Sequence, residues 1–132
     1  MLMDTNDTPE PAEVDELHLS MGGIWTVHSS SDTVYRLDLD RGLLRRQPGA
    51  RSGRAAGDEA WVALFDVHSY VVNDDDTLTV DLEHPNIITV GRRHLYTLDP
   101  KPGTPEPYQW WLQRIATHIR RADDVHRAGP AT

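Results

Sequence analysis

Histidine, aspartate and arginine are the side chains in this sequence with the most chemical reach. The chain has seven histidines and no cysteine, so disulfides, zinc–thiolate sites and thiol nucleophiles are excluded. Any metal would have to be held by imidazole and carboxylate. Asp66 and His68 stand two residues apart, so on a strand they project from the same face. Glu83-His84 lies on the segment expected to return beside them. Asp66, His68 and His84 are therefore the candidate ligands of a divalent cation, and the residues around which a metal-dependent enzyme would be built. No His-Glu-x-x-His and no other paired-histidine spacing occurs to enforce that grouping. Histidines on the polar face of a half-solvated sheet explain the pattern with less, so neither a cofactor nor a catalytic residue is expected.

Other chemistries fare no better. Asn73-Asp74-Asp75-Asp76 has the acidic start of a calcium loop but lacks its central glycine and its closing bidentate glutamate. A hairpin turn, in which Asn and Asp bond their own backbone, accounts for it. His28 is followed by Ser29, Ser30 and Ser31, but adjacent strand residues face opposite ways and no Gly-x-Ser-x-Gly elbow is present. Neither a phosphate-binding glycine loop nor a dinucleotide fingerprint occurs.

Two surface features remain. Arg41, Arg45, Arg46, Arg51 and Arg54 gather positive charge in one stretch without an acid among them. Arg45, Arg46, Arg51 and Arg54 are the nucleic-acid candidates, with Trp25, Tyr35 or Trp61 available to stack on bases. Against that stands a formal net charge of −8, which disfavours general attraction to nucleic acid or to an anionic membrane. The other feature is Tyr108 with Trp110-Trp111. Trp111 reads as core, while Trp110 and Tyr108 are the candidates for a partner-binding surface.

The elements that must position these groups alternate with period two. Tyr35, Leu37 and Leu39 interleave with Arg36, Asp38 and Asp40; Leu78, Val80 and Leu82 interleave with Thr77, Thr79 and Asp81. Each run makes one apolar and one wet face, the signature of an antiparallel sheet. Strands are expected over 24–29, 33–39, 43–47, 61–72, 77–82, 86–90 and 93–98, punctuated by Asp40-Arg41-Gly42, Pro48-Gly49, Asn73–Asp76 and Pro85. The segment 108–121 fits two descriptions. Tyr108, Trp111, Leu112, Ile115 and Ile119 share a helical face behind a Thr104-Pro105 start, and the same residues also divide into strands 109–113 and 116–120. The fold class is mainly β: a small antiparallel meander forming a barrel or roll, with the C-terminal segment either an amphipathic helix or the last strands.

The chain of 132 residues suits one domain with one core. Residues 1–21 read as an acidic, flexible N-terminal arm, carrying Asp4, Asp7, Glu10, Glu13, Asp15 and Glu16 with at most a helical turn lined by Val14, Leu17 and Met21. That arm could fold back on the Arg-rich loop. Residues 22–122 read as the β domain and 123–132 as a flexible tail. No run approaches the ~18 apolar residues of a membrane span, and Met1-Leu2-Met3-Asp4 does not open like a secretory signal. A soluble, cytoplasmic location is expected.

Thr33–Asp40, Leu44-Arg45-Arg46-Gln47-Pro48-Gly49, Ile88-Thr89-Val90-Gly91-Arg92 and the stretch from Trp110-Trp111 to Ile119 together resemble the small uncharacterised β proteins of actinobacteria and their phages. The resemblance implies a compact, mainly β domain, tilts the C-terminal segment toward strand, and implies no activity. Segregated charge and clustered aromatics without catalytic groups lead to the expectation of a non-enzymatic module that binds a protein partner or itself, through an exposed sheet face, the aromatic C-terminal segment and the acidic arm. Nucleic-acid binding through the Arg-rich loop 41–54 is the first alternative, and the metal-dependent enzyme the second.

Overall fold

A computed structural model describes residues 12–50 and 58–122 of the protein. The strands are β1 (Glu13–Val14), β2 (Glu16–His18), β3 (Ile24–Ser29), β4 (Val34–Asp38), β5 (Leu43–Gln47), β6 (Trp61–Val72), β7 (Leu78–Val80), β8 (Ile87–Thr89), β9 (Arg93–Asp99), β10 (Gln109–Leu112) and β11 (Ala116–Arg121). One 3-10 turn, Leu19–Met21, is the sole helical element among the described residues. The main sheet runs β1-β11-β3-β4-β5-β6-β9-β10, with β7 hairpinned onto the far end of β6 and β2–β8 forming a separate pair. Every pairing is antiparallel.

Turn chemistry sets the hairpins. Gly42 takes φ +67° between β4 and β5, a region costly for a residue with a Cβ. Between β6 and β7, the Asp76 N–H donates to the Asn73 carbonyl at 2.9 Å. The Thr77 N–H and hydroxyl both donate to Asp75 Oδ1. These acids close a turn.

Strand β6, 12 residues long, carries the bend. It pairs with β5 through its start, with β9 along its middle and with β7 through its end, and its register slips at Phe65. A bulge of that kind sharpens local twist and curls the sheet. Residues 113–116 then cross the start of β9: the Gln113 N–H donates to the His94 carbonyl, the Ala116 N–H to that of Arg92, and the Ser30 N–H to that of Ile115. The ladder still ends at β1 and β10, so the result is a roll and not a closed barrel.

The inner face holds Trp25, Val27, Tyr35, Leu37, Leu44, Val67, Tyr96, Leu98, Trp111 and Ile119. Tyr35 and Tyr96 stack across the interior with ring centroids 4.8 Å apart. Each such side chain contributes roughly 1.5–3 kcal/mol by leaving water. One polar network interrupts this core. His94 Nε2 accepts the Thr89 N–H at 2.9 Å, which leaves Nδ1 to donate to Gln113 Oε1 at 3.0 Å. The Tyr96 hydroxyl donates to the same oxygen at 2.9 Å. Burial holds the His94 imidazole down to about 4, so it is neutral at pH 7.

One open alternative closes here and one expectation changes. The C-terminal segment forms strands, because β10 pairs with β9 and β11 with β3; those ladders satisfy its backbone where a helix would leave both sheet partners bare. The domain also begins before Gly22. Val14 and Leu17 lie on strands and not on a helical turn. Leu17 is fully buried and Val14 packs on the core, while the intervening acids face outward. Pairing of β1 with β11 and of β2 with β8 makes up for the low apolar content of this stretch. The rest of the expected arm, 1–11, and the tail, 123–132, lie outside the described residues.

Candidate functional site

The proposed metal ligands do not assemble. Asp66 and His68 share the outer side of β6, with His68 Nδ1 3.9 Å from Asp66 Oδ1. His84 turns instead to Asp81, its Nδ1 lying 3.1 Å from Oδ2. Asp81 also accepts from Arg92 Nη1 at 2.9 Å, and that hydrogen bond, with others from His84 and the backbone, pulls its carboxyl down to about 2. Arg92 reaches Ser69 Oγ as well, at 3.1 Å. These groups, with Glu16 and His18, line a polar cavity of about 290 Å³ beneath the β2–β8 pair. No group of three or more His, Asp or Glu side chains among the described residues is placed to hold a metal ion. Pro85 follows His84 and redirects the chain, so the sequence neighbourhood of His84 and His68 does not become a shared site.

The arginines divide by the parity of the strand. Arg45 and Arg46 are adjacent on β5 and therefore face opposite ways. Arg46 points to the inner side, where it forms an ion pair with Asp58. Arg45 points outward, and its Nε is buried without a hydrogen-bond partner. Arg51 and Arg54 lie outside the described residues. What the linear sequence did not show is the company Arg45 keeps. Register places Arg120 of β11, Thr26 of β3, Arg36 of β4, Arg45 of β5 and Trp61 of β6 in one row across the outer face. Glu13 of β1 stands opposite Arg120 at the row's end. It accepts from Arg120 Nε at 3.1 Å and lies 3.1 Å from His118 Nδ1, so its carboxyl is held below the usual range. Glu13 thus meets Arg120 and His118 of β11 and not the Arg-rich loop 41–54. His118 and His28 form the next row. Burial depresses the basicity of His28, and Arg120, His118 and Arg36 add to the effect. Thr26, His28, Val34, Arg36 and Arg120 border a second cavity of about 290 Å³ above this face.

The aromatic cluster occupies the opposite end of the sheet. Alternation on β10 sends Trp111 inward, 6% exposed, and Trp110 outward, 59% exposed. Tyr108 and Leu112 share the outward side with Trp110 and are also exposed. Phe65, thrown out by the bulge in β6, is 57% exposed and lies against Tyr108 with ring centroids 4.7 Å apart. Phe65 is the member that sequence reasoning missed, since a long apolar run gives no sign of where a bulge will fall. β10 is the last strand of the ladder, so its outer edge has no strand partner among the described residues. It carries no charge and no proline of its own, the usual protections of an open edge.

Compared with known proteins, the chain matches no family model, no curated protein and no solved structure. No helix among the described residues is long and apolar enough to cross a membrane.

Proposed function

We propose that this protein is a non-enzymatic β interaction module that associates with a second copy of itself through the β10 edge. The observation that carries the reading is an uncharged strand whose outer edge has no strand partner among the described residues and whose outward side chain Trp110, with Tyr108 and Leu112, continues into Phe65. A two-fold axis beside β10 would pair the strand with its own copy and extend the sheet, the isologous arrangement most common in homodimers. It would also bring the two aromatic strips together. The strip offers on the order of 400 Å² per copy, below the ~800 Å² per partner of a standard interface, so the association is of the weak, concentration-dependent kind.

The test is sedimentation equilibrium from about 5 to 500 μM, with Trp110→Lys alongside. The wild-type protein should shift from monomer to dimer over that range, and Trp110→Lys should remain a monomer with an unchanged circular dichroism spectrum. A wild-type monomer throughout would overturn self-association, as would a Trp110→Lys protein that dimerises like the parent. A monomer that nevertheless binds an unrelated protein only when Trp110 is intact would replace the second copy with a foreign partner.

A further inference from the structure

We propose that the outer face of β11-β3-β4-β5-β6 binds single-stranded nucleic acid, with Arg120, Arg36 and Arg45 on backbone phosphates along the row and Trp61 stacking on a base. The proposal is independent of the β10 edge, which lies at the other end of the ladder.

Three observations converge on it. The first is geometry. Neighbouring strands stand ≈ 4.8 Å apart, so the row from Arg120 to Trp61 spans four such steps, about 19 Å. A row of three guanidiniums, interrupted by Thr26 and ending in the half-buried indole of Trp61, combines a basic track with an aromatic side chain, the two parts that single-strand binding needs. The second is electrostatic. Arg36 and Arg45 are directly opposed in the register, and like charges so placed on one face repel. Arg36 is held in place by Gln47 Oε1 at 2.9 Å and by Thr26 Oγ1 at 3.4 Å, neutral groups that position the cation without cancelling it. An anion bound between Arg36 and Arg45 removes the repulsion. The third is the Nε of Arg45, buried with no acceptor. A buried donor without a partner is costly, and a phosphate oxygen would supply one once the guanidinium turns outward to meet it.

The chemistry favours nucleic acid over an acidic peptide. Phosphate matches the guanidinium fork, and a base presents the flat face that Trp61 can use, whereas a glutamate chain presents none. A single strand is favoured over a duplex because only unpaired bases expose that face. The net charge of −8 does not oppose this locally: it is a whole-chain sum, and on this face Glu13 engages the row only at the Arg120 end.

The probe is a fluorescein-labelled 12-nucleotide deoxythymidine strand, read by anisotropy on the full chain between 25 and 200 mM salt. Three phosphate contacts give a slope of log affinity on log salt of about −2, at ~0.7 per contact. Affinity should therefore fall about twentyfold between 50 and 200 mM. Arg36→Gln with Arg45→Gln should reduce the slope to about −0.7. Trp61→Leu should weaken binding about tenfold at an unchanged slope. Arg120→Gln, at the exposed end of the row, serves as the second variant should the double change disturb folding; it should lower the slope by about 0.7. Absence of binding at 25 mM salt would overturn the proposal. So would binding indifferent to both the double variant and Arg120→Gln. Polyglutamate that competes as well as the oligonucleotide, together with a silent Trp61→Leu, would assign the face to an acidic polypeptide instead.

Discussion

Acid should destabilise this protein well above the pH at which carboxylates titrate, and His94 is the reason. The imidazole is buried, and its one free nitrogen already accepts the Thr89 N–H. A proton can enter only by breaking that bond in a site where Arg92 adds further repulsion. Its native value is therefore about 4 against 6.5 for the free side chain. Between those limits the unfolded chain binds a proton that the native state refuses, so stability rises with pH and is lost as pH falls from about 6.5 toward 4. Linkage over that window gives a loss of about 2 kcal/mol from pH 7 to pH 5, a large share of the 5–15 kcal/mol typical of a domain. Burial of His28 depresses its basicity too, so the wild-type loss includes a smaller contribution of the same sign. Urea unfolding at pH 7 and pH 5, for wild type and for His94→Gln, isolates the effect. Glutamine can donate and accept but does not titrate. The variant should be less stable at pH 7 and should lose about 2 kcal/mol less than wild type between the two pH values. Equal losses in the two proteins would refute the reasoning, and would mean that His94 is protonated with its hydrogen bonds rearranged.

Further expectations concern packing and local electrostatics. Leu17→Ala should cost about 2–5 kcal/mol in urea unfolding, because Leu17 is fully buried in the core; a change under ~0.5 kcal/mol would return residues 12–21 to a detached arm. Gly49→Ala should cost about 1–3 kcal/mol in the same assay, since a Cβ there would fall 2.6 Å from the Asp32 carbonyl oxygen. Arg92→Met should bring the Asp81 carboxyl from about 2 back toward its ordinary 3.8, followed by carbon-detected NMR titration; an unmoved titration would show that His84 and the backbone suffice to hold it down.

Much of the sheet was legible because one face of each strand is buried. Tyr35-Arg36-Leu37 announces its strand and which side is wet, and the same parity sorts Trp110 from Trp111 and Arg45 from Arg46. The C-terminal segment stayed open because its apolar residues satisfy both a period of 3.6 and a period of 2. Only the bare flanks of β3 and β9 decide between them, and those are properties of the assembled sheet. The short β1 and β2 were hidden by their own acids, which face water while Val14 and Leu17 face inward. The basic row was invisible for a different reason. Arg36, Arg45 and Arg120 are brought together by register, and alternation within one strand carries no information about which residue stands opposite on the next.

The pairing of Glu13 with Arg120 also has a consequence for how the chain is made. Residues from the two ends of the domain are neighbours in the sheet, and β3 has β11 as one of its two partners. During synthesis, β3, β4 and β5 can zip together as soon as they emerge. The first strand and one side of β3 must wait until residue 121 has left the ribosome. A nascent chain of this protein therefore carries an open sheet edge until β11 has been made. The last ladder to form closes the largest loop in the domain, placing the slow step of folding there.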